Sequence, residues 1–122
     1  MSDYIDGFIF PIQTERLSEY KLLVEAVADI WKEHGALDYQ EFIGDDMNLA
    51  GTRSFTDLID AKEGEIVVFG WVTFKSREVR DAVNQKVATD PRMVDLMDKF
   101  DTGFDPTRMA YAGFQSLFQQ HD

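Results

Sequence analysis

Residues 65–74 read Glu-Ile-Val-Val-Phe-Gly-Trp-Val-Thr-Phe, and this stretch is apolar on both of the sides a strand would present. Side chains alternate along a strand, so Ile66, Val68, Gly70, Val72 and Phe74 fall on one side and Val67, Phe69, Trp71 and Thr73 on the other. An antiparallel sheet with one wet face alternates apolar with polar residues. This segment does not. Residues 4–12 behave likewise, with Ile5 and Ile9 against Tyr4, Phe8 and Phe10. Whatever the fold, it has to cover both faces of these two strands.

The remaining elements follow from caps and periodicity. Pro11 is expected to end ladder hydrogen bonding in the first strand. Thr14 is placed to cap a helix running to His34, closed by Gly35. Its apolar stripe is Leu17, Tyr20, Val24, Val27, Ala28 and Trp31. Residues 36–43 read as a second strand. The polar stretch 44–64 is a long connection in which Phe55, Leu58 and Ile59 mark one short helical turn. Ser76 caps a second helix over about 76–89, with Val79, Ala82, Val83 and Val87 on one face. Asp90 and Pro91 then start a short helix to about Phe100, as N-cap and first-turn proline. A loop around Gly103 leads to a last strand, Arg108 to Phe118. The order is βαββαβ with a small extra helix: an α+β ferredoxin-like arrangement, one four-stranded antiparallel sheet with its first and third strands central and both main helices on one side. Residues 1–122 read as one such domain.

Two helices cover one face of such a sheet, which leaves the other. Phe8, Phe10, Phe69 and Trp71 are expected on that face, and a second copy of the chain is the simplest cover, because a two-fold interface needs no other gene product. The competing cover is the 44–64 connection folding back over the sheet.

Charge and composition remove several partners. The net charge of −11 opposes binding to a phosphate backbone or an anionic bilayer. No apolar run is long enough to span a membrane. The acidic start, Ser2-Asp3-Tyr4-Ile5-Asp6, lacks the basic character of a secretory signal. There is no cysteine, which excludes disulfides, thiolate metal sites and a cysteine nucleophile, and suits the cytoplasm. No phosphate-cradling loop, nucleophile elbow or zinc signature occurs, so neither a cofactor nor a metal is expected.

Several strings together resemble a known family. They are Tyr4-Ile5-Asp6-Gly7-Phe8, His34-Gly35-Ala36, Val68 to Trp71, Ser76 to Lys86, Asp90-Pro91-Arg92-Met93 and Arg108 to Phe114. In these the chain is similar to the YbaA-like family of uncharacterised bacterial proteins over nearly its whole length. The family usually carries two glycines where this chain has Ala112-Gly113, and a serine where it has Gly70; both are small-for-small exchanges. The resemblance implies a dimeric α/β-barrel, two ferredoxin-like sheets face to face. It implies no accepted activity. Related folds include cofactor-free monooxygenases and isomerases, haem-degrading proteins and small-ligand sensors, and fold alone transfers none of these.

Each candidate for chemistry has a plain alternative. Trp71, Tyr39, Tyr111 and Asp6 have the character of a small-molecule pocket, aromatic walls with sparse polar groups, but also of core or interface filling. If a ligand binds, it is expected near Trp71 and Tyr111, with Arg92 and His34 peripheral. His34 is suited to proton transfer or haem ligation; its plain reading is a helix-end histidine favoured by the helix dipole. His121 sits in a polar tail. Lys75, Arg77, Arg80, Lys86 and Arg92 offer an anion site, against the plain reading of a solvated face with an Arg77–Asp81 pair. Asp90-Pro91-Arg92-Met93 reads as a cap and helix start. Asp45-Asp46-Met47-Asn48 lacks the spacing of a calcium loop. The functional expectation is a cytoplasmic homodimer binding a small molecule beside its sheet. The alternative is a small cofactor-free monooxygenase or isomerase. Whether the protein is an enzyme is left open by its residues.

Overall fold

In the computed structural model, residues 3–120 are described. The strands are β1 (Tyr4–Gln13), β2 (Asp38–Ile43), β3 (Glu65–Phe74) and β4 (Ala110–Gln115), and the helices are α1 (Leu17–Glu33), α2 (Phe55–Leu58), α3 (Arg77–Ala88) and α4 (Pro91–Lys99). The sheet is antiparallel, in the order β2-β3-β1-β4. This is the βαββαβ ferredoxin-like α+β fold.

Strand register sets which residues share a face. Phe8 stands opposite Gly70 on β3 and Tyr111 on β4, and Phe10 opposite Val68. These positions pack with Tyr20, Leu23 and Val27 of α1 and Val83 and Val87 of α3 in one core, so both long helices lie on the same side. Phe8 and Phe10 therefore belong to the helix side and are buried there. Their expected place on the second face is wrong. Parity along β1 was legible, but which of its sides matches which side of β3 is fixed only by register.

Several local expectations also change. Thr14 caps nothing: residues 14–16 form a 3-10 turn, and the Thr14 N–H donates to the Gly64 carbonyl at 2.9 Å. Pro11 does not end its strand. Pairing with β4 stops at Ile9, so β1 is an edge strand at Pro11, the setting in which a sheet tolerates proline. The buried side of α1 includes Leu23 and Ile30 as well as Tyr20 and Val27, while on α3 Ala82 is exposed. The last strand is shorter than Arg108 to Phe118, because Arg108 sits in a 3-10 turn and pairs with Glu65. Ser76 and Asp90 cap α3 and α4 as expected, accepting from the N–H groups of Val79 and Arg92.

Gly70 is more than small. A Cβ there would come within 2.8 Å of the Phe8 ring and 2.5 Å of the Gln40 carbonyl, so a serine in its place would have to push the ring aside.

The face away from the long helices carries Phe42 on β2, Phe69 and Trp71 on β3, Ile5 and Ile9 on β1, and Ala110, Ala112 and Phe114 on β4. The 44–64 connection covers one end of it: Phe55 of α2 lies 5.8 Å from the Phe69 ring. The rest stays open, with Phe42, Phe69 and Phe114 respectively 53%, 44% and 54% exposed. No helix among the described residues is long and apolar enough to cross a membrane.

Candidate functional site

Between the helix side of the sheet and helices α1 and α4 lies a cavity of about 180 Å³. Its floor is Phe8, Phe10 and Val72, its roof is Tyr20, Val24, Val27 and Trp31, and Met93, Met97 and Met109 close one side. The wall is almost wholly apolar because alternate residues of β1 and β3 and one stripe of α1 all point inward. Methionine suits such a place, since an unbranched polarizable chain adapts to irregular gaps.

Oxygen groups enter this wall at two points. At the first, Glu41 of β2 accepts hydrogen bonds from the Tyr20 hydroxyl at 2.5 Å and the Tyr39 hydroxyl at 2.9 Å, one on each carboxylate oxygen. Burial pushes the Glu41 pKa above the usual carboxylate range, and the two phenol donors oppose this without cancelling it. The Tyr20 and Tyr39 hydroxyls are themselves driven well above their ordinary value, first by burial and then by the neighbouring carboxylate. Tyr20, Tyr39 and Glu41 also line a groove on the outer surface, beside Lys21 and Glu25 of α1. The hydrogen-bonded trio thus stands between groove and cavity.

At the second point the Tyr111 hydroxyl donates to Asp6 at 2.6 Å. Asp6 is 0% exposed, on the central strand. Its other partners come from α3: Arg80 Nε at 2.8 Å and Asn84 Nδ2 at 3.3 Å. The Arg80 guanidinium also donates to the Tyr4 hydroxyl at 3.2 Å and lies 5.1 Å from the centre of that ring. Burial works against the Arg80 charge, but the bond to and charge of Asp6, together with a bond to Asp81, outweigh it and raise its pKa. Burial, reinforced by Asp6, raises that of Tyr111. Space for the guanidinium comes from Gly113, where a Cβ would collide with both Arg80 Nη2 and the Tyr4 hydroxyl. Arg80 is therefore no solvated surface charge, as its sequence neighbours suggested, but the counter-ion of a buried acid.

The five residues expected to bind a ligand do not form one site. Tyr111 lines the cavity, and Asp6 reaches it only through the Tyr111 hydroxyl. The Trp71 ring lies on the opposite face of the sheet, stacked on Phe42 at 5.5 Å. Trp71 pairs with Gly7 and Tyr111 with Phe8, one residue out of step, so ring and hydroxyl point to different sides.

His34 and Arg92 meet elsewhere, where α1 ends and α4 begins. His34 Nε2 is 2.8 Å from Asp90 Oδ2, and Arg92 bridges Asp90 at 2.7 Å and Glu33 at 2.5 Å. Glu33, His34 and Asp90 bring ligand atoms within 4.8 Å of one another, but Arg92 already supplies a cation to both carboxylates, and a metal would have to displace it. Hydrogen bonds from Arg92 and His34 hold Asp90 far below the ordinary carboxylate range. This cluster joins two helix ends. The Arg77–Asp81 pair is present at 4.0 Å on the exposed side of α3. His121 lies outside the described residues.

Sequence reasoning missed Glu41 altogether, and with it the Tyr20 hydroxyl that binds it and the pairing of Arg80 with Asp6. A signal existed for Arg80: Asp6 shares strand parity with Phe8 and Phe10, and an acid on a core-facing position demands a cation. Glu41 gave none, since a carboxylate on an edge strand ordinarily faces water.

Comparison with known proteins agrees with this architecture. The dimeric ferredoxin-like protein from an uncultured marine organism superposes with a TM-score of 0.58, at 10% identity, covering 98% of this chain and 100% of that one. A mutant form of SnoaB, a cofactor-independent oxygenase from Streptomyces nogalater, gives 0.58 at 7% identity, covering 100% of both chains. A nipsnap family protein with unknown function from Agrobacterium tumefaciens gives 0.53 at 15%, covering 93% and 87%. At such identities the likeness concerns fold alone. In sequence, the chain is 36% identical over 117 residues to the uncharacterized protein YbaA of Escherichia coli K12, covering 96% of this chain and 98% of that one. The profile of the family described as "Protein of unknown function (DUF1428)" matches residues 3–106. With that match and that relative, the chain belongs to the DUF1428 family, the family of YbaA.

Proposed function

We propose that this protein is a homodimer, joined through the sheet face that bears Phe42, Phe69, Trp71 and Phe114, and that each protomer binds a small, largely apolar molecule in the cavity under α1. The observation that carries the binding reading is the cavity itself: aromatic and methionine walls interrupted by the hydrogen-bonded Glu41 carboxylate and by the Tyr111 hydroxyl, the make-up of small-molecule sites. Tyr111, with Asp6 behind it, and Glu41 with Tyr20 and Tyr39 are its polar contacts. Trp71 serves the dimer and not the ligand. His34 and Arg92 take no part in either.

The dimer reading is supported by three large aromatics left about half exposed on one sheet face. Isolated exposed apolar residues are common, but a contiguous patch of this kind marks an interaction surface. Its groove of about 340 Å³, with Phe69 and Trp71 on one bank and Phe114 on the other, suits interdigitation with a copy of itself.

A second reading, a small cofactor-free monooxygenase or isomerase, is favoured by one feature. Burial lifts the pKa of Glu41, the direction that a general base requires. Native mass spectrometry of freshly purified protein separates these possibilities. The binding reading expects a dimer mass with a small molecule retained on each protomer. A retained molecule whose mass changes on aerobic incubation favours the catalytic reading. A dimer that never carries a ligand, from any growth condition, refutes both. Phe69→Glu should convert the dimer to monomer by light scattering, and a wild-type monomer at micromolar concentration refutes the interface.

A further inference from the structure

Glu41, which lines the cavity, and Asp6, which stands behind the Tyr111 hydroxyl, differ in one respect. Asp6 has Arg80 as its counter-ion. Glu41 has none: among the described residues no basic side chain lies within 4.0 Å of it, and Lys21, which shares the outer groove, makes no pair with it. Hydrogen-bond direction sharpens the contrast. A phenol has one hydrogen to donate, and Tyr20, Tyr39 and Tyr111 each spend it on a carboxylate. Every hydroxyl and carboxylate on the wall therefore offers the cavity lone pairs only; the indole N–H of Trp31 is the one side-chain donor of nitrogen type among the lining residues. Seven of those lining residues are aromatic, and ring faces attract cations.

We propose that the cavity is built for a small organic ammonium ion, an aromatic or aliphatic primary amine whose charged head pairs with Glu41 while its apolar body lies among Phe8, Trp31, Tyr39 and the methionines. This rests on the reading of the cavity as a ligand site, and names its ligand class. The ammonium supplies the three things the wall lacks: a counter-ion for Glu41, hydrogen-bond donors for its unused lone pairs, and a cation for the rings. A carboxylate or phosphate ligand would meet the unpaired Glu41 carboxylate and almost no donor. Size also fits, since an apolar cavity of roughly 150 Å³ holds a benzene ring. A raised pKa in an acid without a cation partner is the expected sign of the missing charge.

The charge state of Glu41 governs the site. Facing it are Tyr20 from α1 and Tyr39 from β2, with Lys21 and Glu25 of α1 on the groove side; Tyr111 of β4 and the paired Asp6 and Arg80 lie beyond. Protonating Glu41 at low pH removes the partner for an ammonium, so amine affinity falls as pH falls through the Glu41 pKa, whereas a neutral probe is indifferent.

The test uses the full-length protein and three probes of one size: benzylamine, benzyl alcohol and benzoate, titrated by NMR at neutral pH. The expected result is benzylamine binding about tenfold or more tighter than benzyl alcohol, a difference of the size that a charge-assisted hydrogen bond to the Glu41 carboxylate supplies, with benzoate weakest. In Glu41→Gln, benzylamine should fall to the level at which the same variant binds the alcohol. Benzyl alcohol binding as tightly as benzylamine in the wild-type protein overturns the proposal and leaves the cavity reading standing. An amine preference that survives in Glu41→Gln also overturns it. Failure of all three probes to bind refutes the cavity reading, and this proposal with it.

Discussion

Replacing Arg80 with methionine should destabilise the protein by about 3 kcal/mol, because it removes the one cation that neutralises Asp6. The side chains differ little in packing, since an unbranched apolar chain follows the path of the arginine stem. The loss is therefore chiefly electrostatic. Removing one partner of a buried pair typically costs about 3–5 kcal/mol. The lower end applies here because two neutral donors remain on Asp6, Tyr111 at 2.6 Å and Asn84 at 3.3 Å, each of net worth about 1 kcal/mol. Loss of the contact with the Tyr4 ring adds about 0.5–1 kcal/mol, within the same range. Urea denaturation at fixed protomer concentration measures the effect. With a slope of about 1–2 kcal/mol/M, the midpoint should fall by roughly 1.5–3 M without a change of slope. Asp6→Asn in the Arg80→Met background should recover part of the loss, as a coupled pair requires. A loss below about 1 kcal/mol, or full additivity of the two substitutions, would show that Asp6 does not depend on Arg80.

Two other outcomes follow from the same geometry. Gly113→Ala places a methyl group where the guanidinium lies and should cost about 1–3 kcal/mol as overpacking, measurable by the same denaturation; no loss would mean that Arg80 can leave Asp6 freely. Glu65 is held at about 2 by its hydrogen bonds to Arg108, below its unfolded value, so the pair contributes stability above the unfolded pKa that is lost as pH falls from about 4.5 toward 2. Arg108→Gln should flatten the stability–pH curve in that window, and an unchanged acid limb would remove Glu65 as its cause.

The parts of this fold legible in sequence were those fixed by neighbours along the chain. Ser76 and Asp90 declare their helices because a cap and the N–H it accepts from lie two or three residues apart. Residues 65–74 declare a strand apolar on both faces because ten consecutive residues carry the pattern. What escaped depends on strand pairing. Phe8 and Phe10 went to the wrong face, since parity gives two choices and only the pairing of Phe8 with Gly70 selects one. Trp71 and Tyr111 both border the groove on the open face, but register sends the Trp71 ring and the Tyr111 hydroxyl to opposite sides of the sheet. Glu41 escaped because its burial comes from Tyr20, 21 residues away, whose hydroxyl is aimed by the packing of α1. The aromatic character of the site and the Asp6–Tyr111 side of its polar make-up were visible in sequence; the Glu41 centre was not.

A charge at the middle of the sheet also bears on how the strands find their alignment. Asp6 belongs to the first strand, but Arg80 follows it by 74 residues and Tyr111 by 105. Until α3 and β4 dock, the carboxylate has no partners and favours water, so β1 cannot be committed to a dry interior early in folding. Once they dock, the alignment is policed. Sliding β4 by one residue would turn Tyr111 and Gly113 outward, set Ala110 and Ala112 against the helix side, and leave Asp6 without its phenol and Arg80 without its space. A sheet apolar on both faces carries little hydrophobic penalty for such a slip. In this chain a single buried acid makes the wrong register costly.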